Sequence, residues 1–310
     1  MRQAWETIVV GAGPAGLTAA LYLGRFRRTV LVLHDGTARA LRIPLTHNAP
    51  GFGSGITGPD LVERMTDHAV RYGAVIDEAR IVAARRERGT FVLSSQAGDT
   101  WRARTLILAT GLHLNQIPLD AATHQAAIEA GVLRYCPICD GYEHIGARIG
   151  VVGSDTQGAA EALFLRRYSD DITLIPKSYA ELSPWERGDL DRAGIKVIAS
   201  AACDYSLAED AMSVTLEDGT VMSFDVVYPA LGSRPRTRLA KCLGIKFETN
   251  GCLPADTPFE TAVPGLYSAG DVVDGLDQIS VAIAHGAIAA TKAHNWLREG
   301  DGEGLSETPQ

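Results

Sequence analysis

The stretch Ile8-Val9-Val10-Gly11-Ala12-Gly13-Pro14-Ala15-Gly16 is a short apolar run that ends in a glycine-rich turn. The apolar run predicts a buried strand, and Leu17–Leu23 after the turn predicts a helix. In this pattern Gly11 permits the tight turn, Gly13 lets a pyrophosphate approach the backbone, and Gly16 lets the helix pack closely on the strand. The positive end of the helix dipole then faces the phosphates. The stretch therefore predicts a dinucleotide-binding βαβ unit rather than an ordinary turn.

A second strand, Thr29–Leu33, follows the helix and ends at His34-Asp35. An acidic residue at this distance from the glycine turn accepts hydrogen bonds from the ribose of a bound dinucleotide. Asp35 is therefore the candidate ribose ligand, and His34 or Gly36 is the alternative occupant of that position.

Two later apolar stretches also end in small residues. Thr105–Leu108 predicts a buried strand followed by Ala109-Thr110-Gly111, and Gly265–Ala269 predicts a strand followed by Gly270-Asp271. A carboxylate at a strand's end can accept a hydroxyl from the sugar-like chain of a cofactor, and the glycine lets that cofactor lie close. Gln278-Ile279, at the start of the next predicted helix, can offer backbone N–H groups. The alternative for Asp271 is an ordinary surface turn.

A cysteine motif, Cys136-Pro137-Ile138-Cys139-Asp140-Gly141, lies between the first glycine turn and a second one. Two cysteines separated by two residues can close a small reducible disulfide. When such a pair lies near a βαβ pattern, it indicates a redox function. A structural zinc site needs a second Cys or His pair at ligand spacing, and Cys203, Cys242 and Cys252 are too scattered to supply one. The motif therefore predicts a redox-active disulfide, and we expect no metal site.

The composition is that of a soluble enzyme with about two domains. The chain has 310 residues, 46% hydrophobic and 21% charged, with a net charge of −8 and a pI near 5.5. This acidic balance argues against a nucleic-acid or anionic membrane partner, and no apolar run is long enough for a membrane span. The N-terminus leads directly into the first strand, and five cysteines do not suggest a secreted disulfide framework. We therefore expect a cytoplasmic protein.

The segments V-G-A-G-P-A-G, A-T-G, C-x-x-C-D-G and S-A-G-D occur in this order along the chain. Together they resemble the low-molecular-weight thioredoxin reductase family of FAD flavoproteins, from about residue 7 to about residue 297. The resemblance implies an α/β fold with two Rossmann-like, three-layer ββα dinucleotide-binding domains, the second inserted in the first. A discontinuous FAD-binding domain would span 1–116 and 242–310, and 117–241 would form an NAD(P)-type domain that carries the CxxC motif. It also implies a homodimer.

The same resemblance implies the residues that bind FAD, including one from the segment Thr46–Gly51. They are Gly11, Gly13, Pro14, Ala15, Asp35, Asn48, Ala109, Thr110, Gly111, Gly270, Asp271, Gln278 and Ile279.

For the chemistry, the resemblance implies that Cys139 faces the flavin and that Cys136 attacks a disulfide of a thioredoxin-like protein. Exchange then proceeds through a mixed disulfide that Cys139 resolves. Asp140 is the implied acid/base, a role that requires its pKa to be raised by burial or by negative charge nearby. The alternative is that Asp140-Gly141 is a plain turn.

The second glycine turn, Ile149–Gly158, departs from the family pattern. NADPH-using members have G-x-G-x-x-A here, and this chain has Asp155 at the second glycine, which adds a negative charge where a pyrophosphate would pass. After the next strand, Ile172–Ile175, the family's arginine-rich segment is replaced by Pro176–Leu182, whose single cation, Lys177, is a poor substitute for bidentate phosphate binding. Both departures predict that ordinary NADPH binding is lost.

The electron donor and the direction of electron flow stay open on the sequence. A ferredoxin-like donor with a protein disulfide as acceptor is one possibility. A dithiol oxidase that closes a disulfide in a small molecule and passes electrons to oxygen is another, and a non-catalytic flavin-binding redox sensor is a third. His144 is either an alternative base or an exposed turn histidine.

Overall fold

The computed structural model describes residues 4–178, 181–248, 250–254 and 260–303. The chain forms two compact units. The first comprises the described parts of 1–45, 49–113 and 234–310, and the second comprises 46–48 and 114–233. Both have the predicted α/β, Rossmann-like architecture, so the predicted fold class is confirmed. In the described residues, no helix combines the length and apolar character needed to cross a bilayer.

The strands of the described residues are β1 (Trp5–Val10), β2 (Val30–His34), β3 (Val75–Glu78), β4 (Ile81–Glu87), β5 (Thr90–Ser95), β6 (Thr100–Leu108), β7 (Leu112–Leu114), β8 (Ile149–Val152), β9 (Ile172–Ile175), β10 (Lys196–Val197), β11 (Ala202–Leu207), β12 (Met212–Leu216), β13 (Val221–Phe224), β14 (Val226–Pro229), β15 (Ser233–Pro235) and β16 (Leu266–Ser268). The α-helices are α1 (Pro14–Arg25), α2 (Gly58–Arg71), α3 (Ala121–Glu129), α4 (Pro137–Asp140), α5 (Thr156–Leu165), α6 (Pro184–Arg192), α7 (Arg238–Cys242) and α8 (Ile279–Gly300), and two 3-10 helices cover Arg39–Arg42 and Gly141–His144.

The first unit is built on a parallel sheet in the order β3-β2-β1-β6-β16. Strand β5 pairs antiparallel with the first half of β6, and β4 pairs antiparallel with β5. Strands β1, β2 and β16 and the second half of β6 are buried on both sides, which explains their continuous apolar runs. Helices α1 and α8 cover one face, and the β4–β5 strands and α7 pack on the other. This arrangement brings the carboxyl ends of β1, β2, β6 and β16 to one edge, where ligands bind in open α/β sheets.

Close packing of α8 on α1 depends on Gly286. A Cβ at this position would lie 2.2 Å from the carbonyl oxygen of Ala15, a backbone atom that cannot swing away. The helix start is thereby held against the sheet edge described above, so a distant glycine contributes to the shape of the candidate site.

The second unit repeats the plan with a parallel sheet in the order β10-β9-β8-β14 and a separate antiparallel sheet of β11, β12 and β13. One apolar cluster joins the two sheets with α3, and another joins the parallel sheet with α5 and α6. The predicted helix after the second glycine turn begins three residues earlier than expected, at Thr156 rather than Ala159. The extra turn arises because Asp155 caps the helix.

Two glycine substitutions should have opposite effects on stability. Gly286→Ala should destabilise the protein by about 2 kcal/mol, because the new methyl group overlaps a backbone oxygen and the helices must separate. Gly188→Ala, in α6, is the matched control: its nearest neighbour would be the flexible end of Arg192 at 3.4 Å. It should be neutral or stabilising by about 0.5–1 kcal/mol because alanine favours the helix. Thermal and urea unfolding of both variants measures the difference; equal effects would contradict the packing account.

Candidate functional site

A cavity of about 290 Å³ lies at the carboxyl edge of the first unit's parallel sheet. Among the predicted cofactor ligands, those that line it are Gly11, Gly13, Pro14, Ala15, Asp35, Ala109, Thr110, Gly111, Gly270, Asp271, Gln278 and Ile279. They come from three separate parts of the chain, which the sheet order brings together at the ends of β1, β2, β6 and β16. Asn48 is not in this lining; Thr46–Asn48 group with the second unit, where the Asn48 Nδ2 donates to the carbonyl oxygen of Ile138 at 3.3 Å.

The start of α1 is shaped for an anion. Its N-cap residue is Gly13, no side chain caps it, and its first turn contains no acidic residue. A Cβ at Gly13 would meet nothing within 4 Å, whereas one at Gly11 would lie 2.1 Å from the carbonyl oxygen of Ala109. Gly11 also has φ +115°, a conformation that favours glycine. The turn therefore packs tightly behind and stays open toward the cavity, which fits the pyrophosphate of FAD.

Asp35 lines the cavity as an ionised acceptor. Its Oδ1 accepts from the Thr37 amide at 3.2 Å and from the Thr37 hydroxyl at 2.6 Å, and the Arg236 Nη1 lies 3.9 Å away. Burial alone raises the pKa of Asp35, but these hydrogen bonds and the charge of Arg236 bring its pKa below the usual value. A carboxylate in this state can accept a ribose hydroxyl at its remaining lone pairs.

Arginines that the sequence did not single out also border the cavity. The Arg39 Nη2 lies 3.2 Å from the Asp271 carboxylate and donates to the carbonyl oxygen of Asp277 at 2.8 Å. Arg236 reaches the cavity from a part of the chain about 200 residues away from Thr37, so no local pattern could have identified it.

In the second unit, Cys136 and Cys139 form a disulfide. Cys136 is the N-cap of the short helix α4, and the Cys139 amide donates to the Cys136 Sγ at 3.1 Å. A backbone N–H directed at a sulfur favours negative charge on that sulfur when the disulfide opens.

Asp140, which follows Cys139 directly, is largely but not fully buried, with 19% of its side chain exposed, and is held by two donors. The Tyr228 hydroxyl donates to Oδ1 at 2.8 Å, and the Arg134 Nε lies 3.2 Å from Oδ2. Burial dominates these two stabilising partners and raises the pKa of Asp140 to about 6. The structure therefore places Asp140 in the kind of environment that an acid/base near neutral pH requires.

The second dinucleotide turn is closed by its own side chain. Asp155 is the N-cap of α5, and its Oδ1 accepts from the amides of Gln157 at 3.1 Å and Gly158 at 3.2 Å. A carboxylate therefore occupies donors that bind the pyrophosphate in a nucleotide-binding turn.

The loop after β9 is tied to the same turn. The Ser154 hydroxyl accepts from the amides of Lys177 at 2.9 Å and Ser178 at 3.1 Å. Tyr179 and Ala180, which belong to the segment predicted to replace the arginine cluster, lie outside the described residues. The described part of the loop offers the exposed Lys177 as its only cation.

Known proteins resemble the chain along almost its full length. The family described as "Pyridine nucleotide-disulphide oxidoreductase" matches residues 5–286. The thioredoxin reductase of Listeria monocytogenes serovar 1/2a is 30% identical over 309 residues, covering 95% of this chain and 94% of that protein. The bifunctional thioredoxin reductase/thioredoxin of Mycobacterium leprae is 31% identical over 320 residues, 98% of this chain and 68% of that protein. The crystal structure of HlmI has a TM-score of 0.89 at 26% identity, covering 97% of this chain and 95% of that one.

Gly13→Asp should convert the open start of α1 into a capped helix like α5. The extended backbone at Gly13 (φ −83°, ψ −178°) accepts a side chain, and the new carboxylate would bind the first-turn amides. We expect the variant to fold with unchanged or slightly higher stability as apoprotein but to lose bound flavin, measured by the visible absorption of the purified protein. Gly13→Ala, which adds bulk without charge, should retain more flavin; equal flavin in wild type and Gly13→Asp would contradict the assignment.

Proposed function

We propose a function for this chain from the family to which it belongs, the pyridine nucleotide-disulphide oxidoreductases, within which it is a thioredoxin reductase-like, flavin-dependent enzyme. It passes electrons between FAD and the Cys136–Cys139 disulfide and on to the disulfide of a thioredoxin-like protein, without ordinary use of NADPH. One observation carries this proposal: the redox disulfide belongs to a unit whose nucleotide turn is closed by Asp155.

The lining of the first unit's cavity supports FAD as the cofactor. The start of α1 would hold the pyrophosphate, Asp35 the ribose, and Asp271 a hydroxyl of the ribityl chain. The Ile279 amide, where α8 begins, would face the flavin ring, whereas the Gln278 amide already donates to the carbonyl oxygen of Leu276 at 2.9 Å. When bound, FAD supplies two-electron chemistry to the disulfide.

Thiol–disulfide exchange with the substrate needs no further reactant. The two thiols of Cys136 and Cys139 are oxidised to a disulfide, and the substrate disulfide is reduced to two thiols, which take up the two protons. The Cys139 amide stabilises a thiolate on Cys136, the attacking sulfur, and Cys139 then resolves the mixed disulfide. Asp140 exchanges a proton with the dithiol, and its raised pKa suits this work near neutral pH.

Asp155 supports an electron donor other than a pyridine nucleotide. Its carboxylate already holds two amides at the start of α5, and a pyrophosphate there would meet a like charge. One such contact costs about 1 kcal/mol in water and about 4 kcal/mol at an effective dielectric constant of 20. A protein donor of the ferredoxin type, or a dithiol, would not need this turn.

Anaerobic mixing with nicotinamide nucleotides tests the proposal. NADPH and NADH should leave the flavin absorption band of the wild-type protein oxidised, because neither nucleotide has a place for its pyrophosphate. Dithiothreitol should bleach the band through the Cys136–Cys139 pair, and Cys139→Ser should abolish that bleaching. Rapid bleaching of the wild type by NADPH would overturn the nucleotide-independent function.

Asp155→Gly is the matched variant for this experiment. It restores the second glycine of the turn and removes the competing carboxylate, and a glycine N-cap costs only a few tenths of a kcal/mol in stability. We expect this variant to gain weak nucleotide binding, measured by calorimetry or by slow bleaching with NADPH.

The direction of electron flow has a test of its own. Oxygen consumption by the wild-type protein with a small dithiol, without reduction of thioredoxin, would assign the oxidase direction.

A further inference from the structure

Tyr228 is a tyrosine at a position where the fold calls for an aliphatic or aromatic hydrocarbon. It lies on the buried strand β14, next to the apolar residues Val226, Val227 and Pro229. Its side chain is fully buried in the apolar cluster of the parallel sheet with α5 and α6. A buried hydroxyl costs free energy unless it is hydrogen-bonded, and here it has one specific acceptor, the Asp140 carboxylate at 2.8 Å.

We propose that Tyr228 is a positioning residue for Asp140: its hydroxyl orients the carboxylate and determines the pH range in which Asp140 exchanges a proton with the Cys136–Cys139 dithiol. This inference rests on the proposed function, because it takes Asp140 as the acid/base of the disulfide.

Each oxygen of the Asp140 carboxylate is bound by a different donor, and the two donors lie on different parts of the chain. The Tyr228 hydroxyl, from the sheet, binds Oδ1, and the Arg134 Nε, from the segment before α4, lies 3.2 Å from Oδ2. Arg134 is itself fixed, because its Nη1 donates to the carbonyl oxygen of Ile128 at 2.7 Å. With both oxygens engaged, the orientation of the Asp140 carboxylate beside the disulfide is fixed.

The other titratable groups around this pair come from the 3-10 helix Gly141–His144. Glu143 adds negative charge near Asp140, and its Oε1 lies 2.9 Å from the Nδ1 of His47. The His144 ring meets the Tyr228 ring edge to face, with centroids 6.0 Å apart, and its Nε2 is buried without a hydrogen-bond partner in the described residues. Burial and the charge of Arg134 lower the pKa of His144, so this ring is neutral near pH 7.

The pKa of Asp140 lies at about 6, so this carboxyl changes its protonation state close to neutral pH. Burial and the neighbouring carboxylates raise the pKa of Tyr228 well above its usual value, so Tyr228 donates its proton to the hydrogen bond without losing it. For Asp140, burial raises the pKa, and the Tyr228 hydrogen bond followed by the charge of Arg134 oppose that rise. Removing the hydroxyl therefore removes a partner of the ionised form, and the pKa of Asp140 should rise further.

Tyr228→Phe tests this role because it deletes one oxygen and keeps the ring in the core. The infrared carboxylic-acid band of Asp140, identified by its absence in Asp140→Asn, should titrate about one unit higher in Tyr228→Phe than in the wild type. The pH profile of flavin bleaching by dithiothreitol should move by the same amount, and Asp140→Asn should lack that inflection. Flavin content and thermal unfolding should stay close to those of the wild type.

Tyr205→Phe is the matched control. Tyr205 is also a buried tyrosine of the second unit, but it lies on β11 in the antiparallel sheet. Its variant should leave both titrations in place. An Asp140 infrared titration that does not move in Tyr228→Phe would overturn this inference. A wild-type rate with no inflection that depends on Asp140 would instead overturn the role proposed for Asp140 itself, so the two failures are distinguishable.

Discussion

The N–H groups in the first turn of a helix have no partner within the helix. At the start of α1 in the first unit and of α5 in the second, the N-cap residue determines whether a side chain or an external group binds them. In the first unit that residue is Gly13, which leaves the start of α1 open to the cavity. In the second unit it is Asp155, whose carboxylate binds the amides of α5. The same strand–turn–helix geometry thus gives a candidate cofactor site in one unit and a closed helix end in the other.

These two solutions have different consequences for stability. A capping carboxylate stabilises its helix in the absence of any ligand, so the second unit does not depend on a nucleotide to satisfy α5. An uncapped start is satisfied by water until an anion binds, and a tightly bound cofactor then stabilises the folded state by mass action. We therefore expect the stability of the first unit to depend on bound cofactor. The second unit, which contains the Cys136–Cys139 disulfide, caps α5 with its own side chain and needs no ligand for that purpose.

Local patterns predicted the strands and helices next to the glycine turns, because apolar runs and glycine turns are short-range features, whereas the arrangement in two domains was implied by the family resemblance. The roles of Gly13 and Asp155 could both be interpreted from the sequence, because the first lacks a side chain and the second places a carboxylate at the equivalent position of its turn. The role of Tyr228 could not: Tyr228 on β14 is 88 residues from Asp140 on α4, and a contact between residues so far apart leaves no local pattern in the sequence. Asn48 shows the reverse difficulty, because a residue expected around the cofactor groups with the second unit and bonds to the backbone of the cysteine motif.

The largely buried Asp140, which follows Cys139, is compatible with electron flow in either direction. A carboxyl group whose pKa lies near 6 is present in both protonation states around neutral pH, so it can donate a proton to a nascent thiol and accept one from a thiol that attacks. An ordinary surface aspartate would serve only as an acceptor, because it is ionised throughout that range. Acid–base chemistry at Asp140 therefore does not select reduction or oxidation.

The direction of electron flow is instead determined by the reduction potentials of the partners and by which of them can reach the disulfide. A difference of about 30 mV changes the equilibrium of a two-electron exchange tenfold. In the proposed function Asp155 acts on this second choice, because its carboxylate holds the amides at the start of α5 where the pyrophosphate of a pyridine nucleotide would bind.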